Sequence, residues 1–179
     1  MTNRRGDALR RAAKWLDDNP NTETNNRGVV WAAILTMAGV YFEEPAWLKH
    51  VEQHAPKMLR NIIREDGEVG ENTEQYAGGG PDAGYTYTSL SYIYMYHLWS
   101  GNSEIDPRLR NAMRWLAGYT TRSGWPVVVG ASVRTGVVNQ RNISDGLPYF
   151  ERYSKTEPFY AELTDSLLSK LEQENDPPW

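Results

Sequence analysis

The sequence predicts an all-α fold of helical hairpins, packed as an α/α toroid or as an incomplete arc of one. Three observations carry that prediction. Over most of the chain, apolar residues recur at the three-to-four-residue spacing of helices. Two segments, Val29 to Tyr41 and Tyr85 to Ser100, are apolar on nearly every side, the pattern of helices enclosed within a packed layer. Short turns and long loops alternate between the helices, a rhythm that suits a ring of helix pairs. Pro126 to Val129 has strand-like composition but no evident partner strand, so it reads as extended loop.

Ala8, Leu9, Ala12, Trp15 and Leu16, at helical spacing, place a first helix from about Asp7 to Asp17, with an end before Asn19-Pro20. A polar stretch from Asn19 to Arg27 leads into the second helix, with Val29, Val30, Ala33, Ile34, Met37, Ala38 and Tyr41. Pro45 suits the first position of a third helix, whose inner stripe is Leu48, Val51, Ala55, Met58, Leu59 and Ile62. Pro56 inside it predicts a kink or a split. From Arg64 to Gly84 the periodicity fails among Asp66-Gly67, Gly70, Gly78-Gly79-Gly80 and Pro81, and ordered loops of that length are often functional. In the tyrosine-rich fourth helix, Tyr85, Tyr92, Tyr96 and Trp99 share one face and Tyr87, Leu90, Tyr94 and Leu98 another, so both faces should pack. Gly101-Asn102 ends it, and Asp106-Pro107 opens a fifth helix with cap and first-turn chemistry, Leu109, Ala112, Met113 and Leu116 facing inward. Leu147 to Tyr153 reads as a short helix. Phe159 to Glu172 reads as the last one, with Leu163, Leu167, Leu168 and Leu171 aligned.

The 179 residues suffice for one core without metal or disulfide support. With 19 Lys and Arg against 23 Asp and Glu, and no basic run beyond Arg4-Arg5 and Arg10-Arg11, the chain lacks the cationic footprint of a nucleic-acid binder. The absence of cysteine excludes disulfides, thiolate zinc sites and cysteine nucleophiles. No apolar run follows the N-terminal charges as in a signal peptide, and Val29 to Leu35 is too short to span a bilayer, so a soluble chain with no membrane partner is expected. His50 and His54 have the spacing of a metal-gripping pair. Their segment, His-Val-Glu-Gln-His, misplaces the glutamate of the HExxH motif, and they lie opposite the apolar stripe, which predicts exposure to solvent. His97, on the tyrosine-rich helix, is expected to be a satisfied core histidine. Gly78-Gly79-Gly80 lacks the Gly-Lys-Ser/Thr ending of a phosphate loop. No cofactor is therefore expected, calcium in the oxygen-rich 65–82 loop being the one formal opening. Asn142-Ile143-Ser144 has the form of a glycosylation acceptor.

The aromatic residues are 11 Tyr and 7 Trp against 3 Phe, so most rings carry a polar handle. Two readings stay open: a groove that stacks sugar rings, with Trp125 and Tyr76 as candidate stacking residues, or a helical core whose large residues are Tyr and Trp.

Asn25-Asn26-Arg27 before a buried helix, Asp66-Gly67, and the run Gly80-Pro81-Asp82-Ala83-Gly84-Tyr85-Thr86-Tyr87-Thr88-Ser89-Leu90 together resemble the heparinase II/III-like and alginate-lyase-like (α/α) toroid proteins, over roughly residues 8–140. The resemblance implies a carbohydrate-active protein that binds an acidic polysaccharide or oligosaccharide and cleaves uronate-containing glycans by β-elimination. In such lyases an Asn with a neighbouring His or Arg neutralises the uronate carboxylate, and a Tyr moves the proton. Asn26 and Arg27 match the first role and Tyr85 the second, with Tyr87 and Tyr76 as fallbacks. The chemistry explains these residue types: the proton beside a carboxylate becomes acidic only when the developing charge is stabilised. A phenol that ionises at about pH 10 must be lowered by a cation such as Arg27 before it can act as a base near neutrality. Arg134, within Ser132-Val133-Arg134-Thr135-Gly136, resembles a late arginine-bearing element and would bind an anionic sugar. The chain departs from the family pattern at Arg27, where many of these lyases have His. It also lacks a counterpart to the histidine of their later β-sheet domain, so the resemblance implies a missing C-terminal domain. Two alternatives remain: a toroid glycoside hydrolase using Glu74 and Asp82, with Glu71 nearby, or a non-catalytic carbohydrate-binding or structural domain.

Overall fold

A computed structural model describes residues 4–22, 25–70, 83–120 and 147–173. Over these residues it shows seven α-helices: α1 (Arg4–Asp18), α2 (Asn26–Tyr41), α3 (Pro45–Ile62), α4 (Ala83–Ser100), α5 (Asp106–Gly118), α6 (Leu147–Ser154) and α7 (Pro158–Gln173). A 3-10 turn, Ser103–Ile105, leads into α5, and the one β feature described is an antiparallel bridge between Ile63 and Val69. The all-α prediction holds. No helix among the described residues is long and apolar enough to cross a membrane.

The core is built around α2, which packs most broadly against α4 and α3. Asn25 fixes its start by accepting the Gly28 N–H at 3.0 Å, an N-cap bond that satisfies one of the donors a helix cannot bond internally. Val29, Trp31, Ala32, Ala33 and Leu35 are buried, while Ile34, Val40 and Tyr41 leave an exposed strip, so enclosure of α2 is incomplete. Pro45 opens α3 as expected, and Trp47 joins Val51, Ala55, Met58, Leu59 and Ile62 inside. Pro56 does not split this helix, which runs unbroken to Ile62. The N–H that Pro56 lacks would have gone to the carbonyl of Glu52, an exposed residue whose carbonyl water can serve.

On α1 the apolar spacing does not mark a buried face: Leu9 and Trp15 are 60% and 62% exposed. Ala13 is the buried residue, and Leu16 packs partly against the core. Polar bonds anchor this helix instead: the Trp31 indole N–H donates to the Leu16 carbonyl at 2.9 Å, and Arg10 pairs with Glu44 and lies over the Phe42 ring.

On α4, Tyr87, Leu90, Ile93, Tyr94 and Tyr96 are buried, but the last turn emerges, leaving Leu98 and Trp99 exposed. Gly101 follows in the left-handed region (φ +67°). The cap at this corner is Asn102, whose side chain accepts from the Glu104 N–H at 3.0 Å, so Asp106 is freed from the capping role predicted for it. Leu109, Ala112, Met113 and Leu116 of α5 are buried as predicted.

After α3 the chain makes a tight turn closed by Arg64 N–H to Glu68 O and Gly70 N–H to Ile62 O. At its tip Gly67 (φ +93°) lies so close to α5 that a Cβ there would stand 2.3 Å from the Asn111 carbonyl oxygen. The triple glycine, the 126–129 segment and Asn142 lie outside the described residues. In the final hairpin, Tyr149, Phe150 and Tyr153 of α6 pack with Tyr160, Leu163 and Leu167 of α7, whereas Leu168 is 45% exposed.

Candidate functional site

The first candidate lies at the start of α2. Asn26 is half-buried and Arg27 exposed in its first turn, directly before the buried Gly28 and Val29. First-turn N–H groups and the helix dipole favour an anion at this end, and Arg27 adds a full positive charge.

Of the tyrosines assigned to the site, Tyr85 stands in the first turn of α4, and its side chain lies outside the described residues. Tyr87 is fully buried. Its hydroxyl meets Thr120 Oγ1 at 2.7 Å, and since the Thr120 hydroxyl donates to the Leu116 carbonyl, the tyrosine is the donor of this pair. Burial pushes the Tyr87 phenol up to about 12. Tyr87 thus ties α4 to the end of α5, and neither its exposure nor its acidity suits the sugar-contacting or proton-moving role. Tyr76, Trp125 and Arg134 lie outside the described residues, as do Glu71, Glu74 and Asp82.

A second site joins α1, α2 and α3 and was not read from the sequence as one. His50 and His54 are partly buried, correcting the expectation of free exposure. Asp17, at the end of α1, accepts a bond from His50 Nδ1 at 2.7 Å, with both side chains about one quarter exposed. The two imidazole centroids are 5.4 Å apart, and Trp31 of α2 stands edge-on to both, at 5.6 Å from His50 and 6.3 Å from His54. Because an ionised carboxylate only accepts, Asp17 fixes the proton on Nδ1 and orients the ring, the arrangement that prepares Nε2 for proton transfer or metal binding. Trp31 follows Arg27 by four residues, so the imidazoles contact α2 one turn beyond Arg27. The available sequence signal was the i, i+4 pair; what was missing was that Asp17, at the end of α1, reaches His50.

A third cluster is assembled differently. Asp106 Oδ1 accepts from the Tyr153 hydroxyl at 2.7 Å and Oδ2 from Arg110 Nε at 2.7 Å. His97 is nearly enclosed, with Nδ1 on the Asn102 carbonyl at 2.9 Å and Nε2 3.6 Å from Asp106 Oδ1, which bears out the core-histidine reading. The Arg110 guanidinium also covers the Tyr153 ring at 4.4 Å. Desolvation pushes the Asp106 carboxyl up, but the bonds from Arg110 and Tyr153 and the nearby positive charges outweigh it and hold it below its usual range. Burial first, then the Asp106 bond, pushes the Tyr153 phenol up to about 12. This cluster joins α4, α5 and α6 as a tie.

Among the described residues no group of three or more His, Cys, Asp or Glu gathers as a metal cage. An open depression of about 350 Å³ between α6 and α7 is lined by Glu151, Ser154, Ala161, Thr164, Asp165 and Leu168. No family model, no curated protein and no solved structure matches this chain.

Proposed function

We propose that the chain is a carbohydrate-active helical protein that holds the carboxylate of a uronate-containing glycan at the start of α2 and acts on it by β-elimination, as its resemblance to the heparinase II/III-like lyases implies. The observation that carries this reading is the pairing, at one helix start, of exposed Arg27 and half-buried Asn26 with a helix that is otherwise a core element. A cation and an amide at the positive end of a rigid helix can neutralise a carboxylate, the requirement for removing the neighbouring proton. Tyr85, in the first turn of α4, is the proton-moving group in this proposal.

The test is ultraviolet absorbance of unsaturated product during incubation with alginate, heparan, chondroitin and pectin, comparing the parent chain with Tyr85→Phe and Arg27→Ala. Growth of absorbance that falls at least a hundredfold in Tyr85→Phe, with Arg27→Ala raising KM for the acidic substrate, is the expected outcome. A flat trace from folded protein on every glycan overturns the elimination mechanism for this chain. New reducing ends without unsaturation would assign hydrolysis, and binding without turnover a carbohydrate-binding domain.

A further inference from the structure

We propose that His50 and His54 form a binding site for one late first-row divalent cation, Cu²⁺, Ni²⁺ or Zn²⁺, with Asp17 as the outer partner that positions His50. The inference is independent of the lyase reading and rests on four features of the α1–α2–α3 junction.

First, the residues are one helical turn apart on α3, so their rings project from neighbouring points on one face. Second, with imidazole nitrogens about 2.0 Å from a shared tetrahedral ion, ring centroids stand roughly 5 Å apart. The observed separation of 5.4 Å is close to this. Third, Asp17 binds His50 through Nδ1, which leaves Nε2 as the ligating atom. A carboxylate behind a ligating histidine fixes the tautomer and raises its basicity. Fourth, Trp31 contacts both rings and restricts their rotamers before an ion arrives.

Two nitrogen ligands with no third protein ligand in the described residues leave the remaining positions to water or to a small anion. Imidazole donors select Cu²⁺, Ni²⁺ and Zn²⁺ over Mg²⁺ and Ca²⁺, which prefer oxygen. The one other histidine, His97, is nearly enclosed and already bonds the Asn102 carbonyl, so it does not compete.

Untagged protein is titrated calorimetrically with CuCl₂, NiCl₂, ZnCl₂ and MgCl₂ near neutral pH. One Cu²⁺, Ni²⁺ or Zn²⁺ per chain, Cu²⁺ tightest, and no Mg²⁺ is the expected result. His50→Ala and His54→Ala should each weaken binding at least tenfold, and Asp17→Asn by roughly tenfold to a hundredfold while the stoichiometry stays at one. Electron paramagnetic resonance of the Cu²⁺ form should show two coupled nitrogens, reduced to one in either alanine variant. Because both rings pack on Trp31, a variant with His50→Gln and His54→Gln is measured alongside, its fold checked by circular dichroism. Unchanged affinity in that folded variant, or a single coupled nitrogen in the parent chain, would overturn the proposal.

Discussion

Among the described residues two places bring an aspartate to a histidine, and they are wired for different ends. At the α4–α5–α6 junction every polar atom of Asp106 is claimed: Tyr153 donates to one oxygen, Arg110 to the other, and His97 is tied through its far nitrogen to a backbone carbonyl. At the α1–α3 junction Asp17 takes one bond from His50, and the ring stays a quarter exposed. The difference lies in the neighbours. Saturation by guanidinium and phenol makes Asp106 a strut. A single hydrogen bond to His50, beside an edge-on indole, makes Asp17 a holder for a ring that keeps a nitrogen for other chemistry. An aspartate–histidine contact is therefore read by what remains unclaimed after it forms.

The comparison can be broken hardest at Trp31, which is buried and packs on both imidazoles. Trp31→Ala should cost about 4 kcal/mol, read as a shifted urea midpoint, and should release the His50 and His54 rings, read by NMR. Asp106→Ala comes next, at about 2 kcal/mol, since it leaves the Tyr153 hydroxyl and Arg110 without their acceptor. Tyr153→Phe removes one of those bonds and should cost about 1 kcal/mol in the same assay. Asp17→Ala should cost less than about 1 kcal/mol, because water can reach His50 Nδ1 in its place. If Asp17→Ala proves as damaging as Asp106→Ala, the contrast between holder and strut fails.

Acid sharpens the contrast further. A carboxyl held below its unfolded value contributes stability above that value and loses it as pH falls through the folded one. For Asp106, whose ordinary value is 3.8, that loss begins below about pH 4. The stability gap between the parent chain and Asp106→Asn should be full at pH 7 and shrink as pH is lowered below 4. A gap that stays constant across this range would show that the charge of Asp106 contributes nothing to the stability of the fold.

Legibility in the sequence followed locality. Asn25, Pro45 and Gly101 marked element ends because capping and backbone restriction act within a few residues, and the faces of α3 and α5 followed from periodicity. Periodicity says which residues share a face, not whether another element covers it. Leu9, Trp15, Trp99 and Leu168 fit the helical spacing of their segments and yet stand exposed. His50 and His54 failed in the opposite sense: they lie off the apolar stripe, but Trp31 of α2 packs on both rings and Asp17, more than thirty residues away, reaches His50. Asp106 looked like a cap because Asp-Pro is a common helix opening, and the 3-10 turn moved the cap four residues upstream to Asn102. For the proposed glycan site, Asn26 and Arg27 were legible as a polar helix entry. The buried state of Tyr87 was not, since its partner Thr120 is distant in sequence.

Among the described residues, the two left-handed glycines differ in what a replacement would meet. Gly101 has open space where a side chain would begin, so its demand is conformational, and asparagine, which tolerates that region, can replace it in a single step. Gly67 has the Asn111 carbonyl where a side chain would begin, so no other residue can enter until the α5 backbone retreats as well. A library of variants should therefore accept asparagine at position 101 alone, while at position 67 a side chain should be accepted only together with a change that moves the α5 backbone.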